Sequence, residues 1–170
     1  MAPRFISVTY AAVGITRDLT RDVFTTLHKS SGLRAAAHLT CVDASHEETL
    51  EIAASFSAAG VADIVALHGD PAKGQTRFRP HPEGFKSSVE LISALAKTGD
   101  FTLRVGAYPE TDPEAKTASA DIEFLKRKID AGASEALTQF FFEAETYLSF
   151  RDACEKIRHS RADYTWHFAD

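Results

Sequence analysis

Five short stretches of this 170-residue chain carry polar side chains of the kinds that hold ligands. They are Thr9-Tyr10, His38 with Thr40, His68-Gly69-Asp70, Tyr108-Pro109-Glu110, and Gln139 ahead of Phe140, Phe141 and Phe142. Few of these groups are nucleophiles. The set suits the binding of a large polar cofactor better than covalent catalysis. Each also has a plainer reading. A lone histidine such as His38 inside a strand is often a core residue with its hydrogen bonds met. Asp70, between Gly69 and Pro71, has the composition of a turn. Gln139 is more constrained, because an amide buried in an apolar strand without partners costs about 1–3 kcal/mol. A ligand or a neighbouring side chain must supply those partners.

Two patterns mimic other chemistries. Gly69 to Thr76 reads G-D-P-A-K-G-Q-T, close to the phosphate-binding loop G-x-x-x-x-G-K-[ST]. Gln75 stands where the lysine belongs, and Phe85 follows too soon for a helix opening at Gly74, so a nucleotide triphosphatase is set aside. Glu110, Asp112 and Glu114 resemble a hard-metal set, yet Asp112-Pro113 also reads as a helix cap with a first-turn proline, and a local turn is the better account of the three carboxylates. No His/Cys spacing indicates zinc.

The elements that must position these residues follow from patterning. β-Branched and aromatic runs predict strands over Phe5 to Tyr10, Ala35 to Cys41, Asp63 to Gly69, Phe101 to Tyr108 and Glu135 to Phe142. Amphipathic segments predict helices over Asp18 to Ser31, from the capping box Ser45–Glu48 to Gly60, and over Ser87 to Thr98, Ser119 to Ala131 and Ser149 to His159. Strand and helix in strict alternation imply parallel strands joined by right-handed crossovers. Such α/β folds gather ligands at the carboxyl ends of the strands, where every stretch named above lies. Two architectures remain open, a doubly wound sheet or part of a (βα)8 TIM barrel. A full barrel needs about 250 residues, and at roughly 30 residues per unit this chain holds about five consecutive βα units.

Composition narrows the function classes. The chain has 19 basic and 24 acidic residues, a net charge of −5, with 44% hydrophobic and 25% charged residues. These values describe one soluble globular domain and offer no broad cationic surface for nucleic acid. No apolar run reaches membrane-span length, and Met1 to Arg4 does not open a secretory leader. Two cysteines, Cys41 and Cys154, make no disulfide framework, so a reduced cytoplasmic setting is expected.

Six segments in order carry a resemblance: Ser7-Val8-Thr9-Tyr10, His38-Leu39-Thr40-Cys41, Ala66-Leu67-His68-Gly69-Asp70, Ala107-Tyr108-Pro109-Glu110, Leu125 to Ala133 (L-K-R-K-I-D-A-G-A), and Thr138-Gln139-Phe140-Phe141-Phe142. Over Phe5 to Ile157 the chain resembles the 5,10-methylenetetrahydrofolate reductase family of the bacterial flavoprotein type. The resemblance implies a (βα)8 barrel with FAD at the carboxyl ends of its strands. It implies that NAD(P)H reduces the flavin and leaves, and that methylenetetrahydrofolate then enters the same face and is reduced to 5-methyltetrahydrofolate. Flavin chemistry asks the protein mainly to bind, orient and tune.

Carried over by position, the resemblance implies FAD contacts from Tyr10, Ala12, His38, His68, Gly69 and Asp70. It adds Phe85 and Lys86 at the start of the next helix, then Tyr108, Asp112 and Ala115, then Asp121, Phe124, Arg127 and Lys128 on one helix, where the two cations would neutralise the pyrophosphate. Asp70 would tune the flavin as the catalytic carboxylate and also hold the folate, with Thr9 and Gln139 touching folate or nicotinamide. This sequence has His68 where an arginine is common, Phe124 where Asn or His is usual, and Asp112 at a histidine position. The Phe-Glu-Phe-Phe-Pro-like strand that carries the family's general acid is not found here. Residues 1–157 therefore read as an incomplete barrel and 158–170 as an unrelated tail. An open barrel edge favours self-association, so a homo-oligomer is expected. The alternative function is a non-catalytic remnant or interaction module that associates with a full-length reductase or with itself.

Overall fold

A computed structural model of the chain describes residues 5–9, 23, 26–27, 30–42, 44–69 and 79–158. The strands are β1 (Phe5–Val8), β2 (Arg34–Thr40), β3 (Asp63–Leu67), β4 (Thr102–Ala107) and β5 (Glu135–Thr138); the helices are α1 (His46–Ala58), α2 (Ser88–Ala96), α3 (Ala118–Asp130) and α4 (Ala144–Arg158). All four strand pairs are parallel, and the sheet order is the chain order, β1-β2-β3-β4-β5. That order decides between the two architectures. Right-handed crossovers that always step the same way leave every helix on one face, as in a barrel; a doubly wound sheet reverses direction midway. The fold is a partial α/β barrel, a curled five-stranded wall with helices outside.

The register assigns each residue to a face, because laterally paired residues in a parallel sheet point the same way. Ala37, Leu39, Ile64, Ala66, Leu103, Val105, Ala107 and Ala136 lie on the helix side. There they form one core with Phe56 of α1, Leu91, Ile92 and Leu95 of α2, Leu125 of α3, and Phe150 and Cys154 of α4. The concave face carries Phe5, Arg34, His38, Asp63, Val65, Arg104 and Glu135. Toward the amino ends of the strands this face is charged. Arg34 grips Asp63 through Nε and Nη2 (2.9 and 2.8 Å), Arg104 reaches both Asp63 and Glu135, and the Arg104 guanidinium lies 4.5 Å from the Phe5 ring centre.

Helix starts follow local chemistry. Ser45 and Glu48 form the expected reciprocal capping box, and Ser87 caps α2. Thr117 caps α3, and Asp112 closes the expected local turn, its Oδ1 accepting the Glu114 N–H and its carbonyl the Ala115 N–H (both 2.9 Å). Phe85 and Lys86 precede α2 rather than begin it. β5 ends at Thr138 instead of Phe142, and α4 starts five residues earlier than the patterning predicts. Of the helix expected over Asp18 to Ser31, Val23, Thr26, Leu27, Ser30 and Ser31 are described, and all are helical. Among the described residues no helix is long and apolar enough to cross a membrane.

Candidate functional site

The carboxyl ends of β2 to β5 open on one rim, and most of the described candidate residues lie along it. Thr9 is exposed just past β1. His38 is half-buried on the concave face of β2, and burial lowers its pKa from the usual 6.5. Past β3, the His68 carbonyl accepts the Cys41 N–H (3.3 Å), and burial also lowers the pKa of its ring. Charge acts on His68 from both directions: Glu114 and Asp112 raise its pKa, and Lys128 lowers it. Gly69 has φ +90°, and a Cβ there would collide with Val42 Cγ2 while sitting 3.1 Å from Thr40 Cβ. Only glycine makes that turn without strain. Tyr10, Ala12 and Asp70 lie outside the described residues.

The loop after β4 and the first half of α3 build the flank of the rim. Asp121, buried one turn into α3, accepts the backbone N–H of Asp112 (2.9 Å) and so ties the loop to the helix. Lys128 is buried too. Its ammonium donates to the Gly106 carbonyl of β4 (3.0 Å) and lies 4.9 Å from the Phe124 ring centre; the exposed Arg127 guanidinium lies at the same distance. Burial pulls the Lys128 pKa down, against the raising effect of Asp121 and Asp112. Tyr108 and Ala115 are half-buried on this loop. Tyr108, Thr111, Asp121, Glu145, Ser149 and Phe150 line a cavity of about 410 Å³ between α3 and α4.

Other candidates are placed differently. Phe85 is buried in the core, its ring 4.3 Å from that of His46. Lys86 is exposed, and its N–H donates to Glu90 Oε2 (2.9 Å). Gln139 lies beyond β5, anchored by its N–H on the Ala107 carbonyl (2.7 Å), and its side chain is exposed. The amide therefore carries no desolvation penalty, contrary to the strand reading. Among the described residues no group of three His, Cys, Asp or Glu side chains is placed to hold a metal ion. Neither cysteine offers a ready nucleophile, since burial pushes both thiols up to about 12.

Sequence reasoning missed Glu145 and Ser149, which reach the rim from α4. Their only signal was the start of α4, and that was placed too late. It also missed the tether from Lys128 to Gly106, because a strand glycine gives no sign that its carbonyl has a side-chain partner. The described rim offers cations beside an aromatic ring, carboxylates tied into the loop, and histidines whose neutral form is favoured. This is chemistry for gripping an anionic, ring-bearing ligand.

The methylenetetrahydrofolate reductase family profile matches residues 1–161. A 5,10-methylenetetrahydrofolate reductase from Pectobacterium carotovorum subsp. carotovorum is 48% identical over 155 residues, covering 91% of this chain and 50% of its own length. The protein of that name from Escherichia coli K12 is 46% identical over 154 residues with the same coverage. A relative from Oryza sativa subsp. japonica, whose name specifies NADH, is 32% identical over 91% of this chain and 28% of its own. The chain thus spans about half the length of the bacterial relatives it matches. Among solved structures, a 2,3-dimethylmalate lyase of the PEP mutase/isocitrate lyase superfamily superposes with a TM-score of 0.57 at 13% identity, covering 95% of this chain and 56% of that one. At that identity the likeness concerns the fold alone.

Proposed function

Because the chain belongs to the methylenetetrahydrofolate reductase family, we propose that it serves the reduction of 5,10-methylenetetrahydrofolate to 5-methyltetrahydrofolate, with FAD as cofactor and NAD(P)H as hydride donor. The observation that carries the cofactor assignment is the set on α3, where the Arg127 and Lys128 cations lie over the Phe124 ring and Lys128 is tied to the β4 strand at Gly106. A flavin dinucleotide has a pyrophosphate and two planar ring systems, and it fits such a set. FAD, when bound, supplies two-electron hydride chemistry that no protein side chain offers.

The chain's own residues then bind and orient. Arg127 meets the pyrophosphate at the surface, while Lys128, held in the wall by the Gly106 carbonyl, adds fixed positive charge behind it. Asp121 fixes the loop that brings Asp112 and Ala115 to the rim, beside Tyr108. His38 and His68 present rings that are more readily neutral than an exposed histidine. The turn at Gly69 lets the backbone approach a ligand closely. Tyr10 and Ala12 complete the proposed cofactor contacts. Asp70 is the proposed carboxylate beside the reacting rings. Thr9 and the exposed amide of Gln139 are the proposed contacts to the folate or nicotinamide. Self-association through the open sheet edges in the cytoplasm belongs to the same reading.

The test is to purify the chain, titrate it with FAD by absorbance and fluorescence, and follow NADH consumption with and without methylenetetrahydrofolate. Saturable FAD binding with NADH oxidation supports the reading, and folate-dependent turnover completes it. A chain with no affinity for FAD overturns the cofactor assignment. FAD binding without any NADH oxidation overturns the enzyme reading for this chain and leaves the interaction-module alternative, to be read by light scattering with and without a full-length reductase.

A further inference from the structure

Among the described residues, large apolar side chains are exposed in two places. Val23, 36% exposed, lies in the crossover between β1 and β2; Phe140, Phe142 and Leu148, at 80%, 82% and 38%, follow β5. Both places belong to the ends of the sheet, and the described residues of the units between them expose none. Phe141 stacks on Tyr147 of α4 (centroids 5.2 Å apart, planes 15° apart), while the flanking Phe140 and Phe142 rings, 5.9 Å from each other, face solvent. The backbone is open at the same two ends: among the described residues no strand pairs with the outer edge of β1 or of β5. Unpaired edges with exposed apolar groups beside them mark surfaces that another chain covers.

The charges of the concave face say which chain. In strand order they alternate, Arg34 of β2, Asp63 of β3, Arg104 of β4 and Glu135 of β5, and each is bonded to the next. β1 contributes the uncharged Phe5 at this end of the face. The wall thus ends in a carboxylate on the β5 side, while its first charge on the β1 side is the Arg34 guanidinium, whose side chain is 57% exposed. The two edges of one chain are complementary to each other. All strands run the same way, so a two-fold axis along them sets β5 of each copy beside β1 of the other, in parallel, and covers all four edges. Pairing β5 with β5 about a two-fold axis is antiparallel and leaves both β1 edges open.

Resting on the self-association reading given above, we infer that the covering chain is a second copy of this one. Two equivalent β5–β1 edges join the copies, bury Phe140 and Phe142, and close the two walls into one ring in which the alternation of charge runs on. At each junction Thr9 of the second copy stands at the carboxyl rim beside Gln139. These two proposed folate or nicotinamide contacts lie at opposite ends of the sheet within one copy, and they come together between copies.

The experiment measures mass by light scattering and sedimentation for the chain and its Phe140→Asp/Phe142→Asp variant, with circular dichroism melts to confirm folding. The parent is expected at twice the 18.6 kDa chain mass, and the variant should dissociate at least tenfold more readily, because carboxylates buried at an apolar contact lack partners. A second arm reads the geometry and needs no charge at the interface. Thr9→Cys chains and Gln139→Cys chains, both at exposed positions, are treated with a short bismaleimide; Cys41 and Cys154 are buried and stay silent. Crosslinked dimers are expected in an exchanged mixture of the two and not from either alone. A monomeric parent overturns the inference and the self-association reading together. An oligomer that the aspartate variant leaves intact, or that crosslinks from Gln139→Cys chains alone, keeps self-association and overturns the β5–β1 pairing. Assembly of the parent beyond a dimer overturns the two-fold closure.

Discussion

Replacing Arg104 with methionine should be among the most damaging single changes in the sheet. Arg104 is 3% exposed and bridges Asp63, 2% exposed, to Glu135, whose side chain is 18% exposed. Methionine fills similar space but removes the positive charge between two carboxylates. Among the described residues Asp63 then keeps Arg34 alone as a cation, whose side chain is 57% exposed and whose charge is largely screened by solvent. Glu135 loses the bond at 2.6 Å and faces Asp63 with no cation between them. Breaking a buried pair by removing one partner costs about 3–5 kcal/mol. For a chain of this size each kcal/mol lowers the melting temperature by about 2–4 °C, so the expected fall is roughly 6–20 °C. The assay is urea and thermal unfolding at pH 7. The triple variant Asp63→Asn, Arg104→Met, Glu135→Gln isolates the cause, because removing all the facing charges should recover most of the loss. Arg104 lies four strand positions below Tyr108, about 13 Å at strand rise, so FAD affinity of the folded variant should match that of the parent. A loss below about 1 kcal/mol in the single variant, or a triple variant no more stable than the single one, would refute the argument that uncompensated buried charge governs this face.

Gly69→Ala forces a left-handed φ on a residue with a Cβ and drives that atom into Val42. It should cost about 1–3 kcal/mol from the backbone alone and weaken FAD binding; equilibrium unfolding and a flavin titration check both. The two thiols, buried and pushed up to about 12, should resist Ellman's reagent in the native chain and both react in denaturant; fast native labelling of either one contradicts the placement of Cys41 and Cys154 in the core. Stability should be flat above the ordinary histidine pKa of 6.5 and fall as pH drops below it, because His38 and His68 have lowered values in the fold and the unfolded chain binds protons first. A His38→Gln/His68→Gln variant should lose part of that slope in urea titrations between pH 5 and 8, and an unchanged slope would remove these histidines from the account.

Sequence alone determined the alternation of strand and helix, and with it a parallel sheet with the candidate polar groups toward the carboxyl ends of its strands. Patterning suffices there because helix periodicity, β-branched runs and caps such as Ser45–Glu48 are local properties. The family was equally legible, since six short segments in fixed order are a one-dimensional signal. Other features required the assembled molecule. Strand order chose a barrel wall over a doubly wound sheet, and no local pattern encodes which neighbour a strand takes. Gln139 looked like a buried strand residue, but β5 stops at Thr138 and the side chain meets solvent. Asp112 read as a local turn, and it closes one, but that its backbone is held by Asp121 of α3 had no sequence signal. The charged base of the concave face, in which Arg34, Asp63, Arg104 and Glu135 meet from four strands, had no sequence signal. Pairing between residues 29 to 41 positions apart exists only once parallel strands fall into register, and register is set by the packing of the whole sheet against its helices.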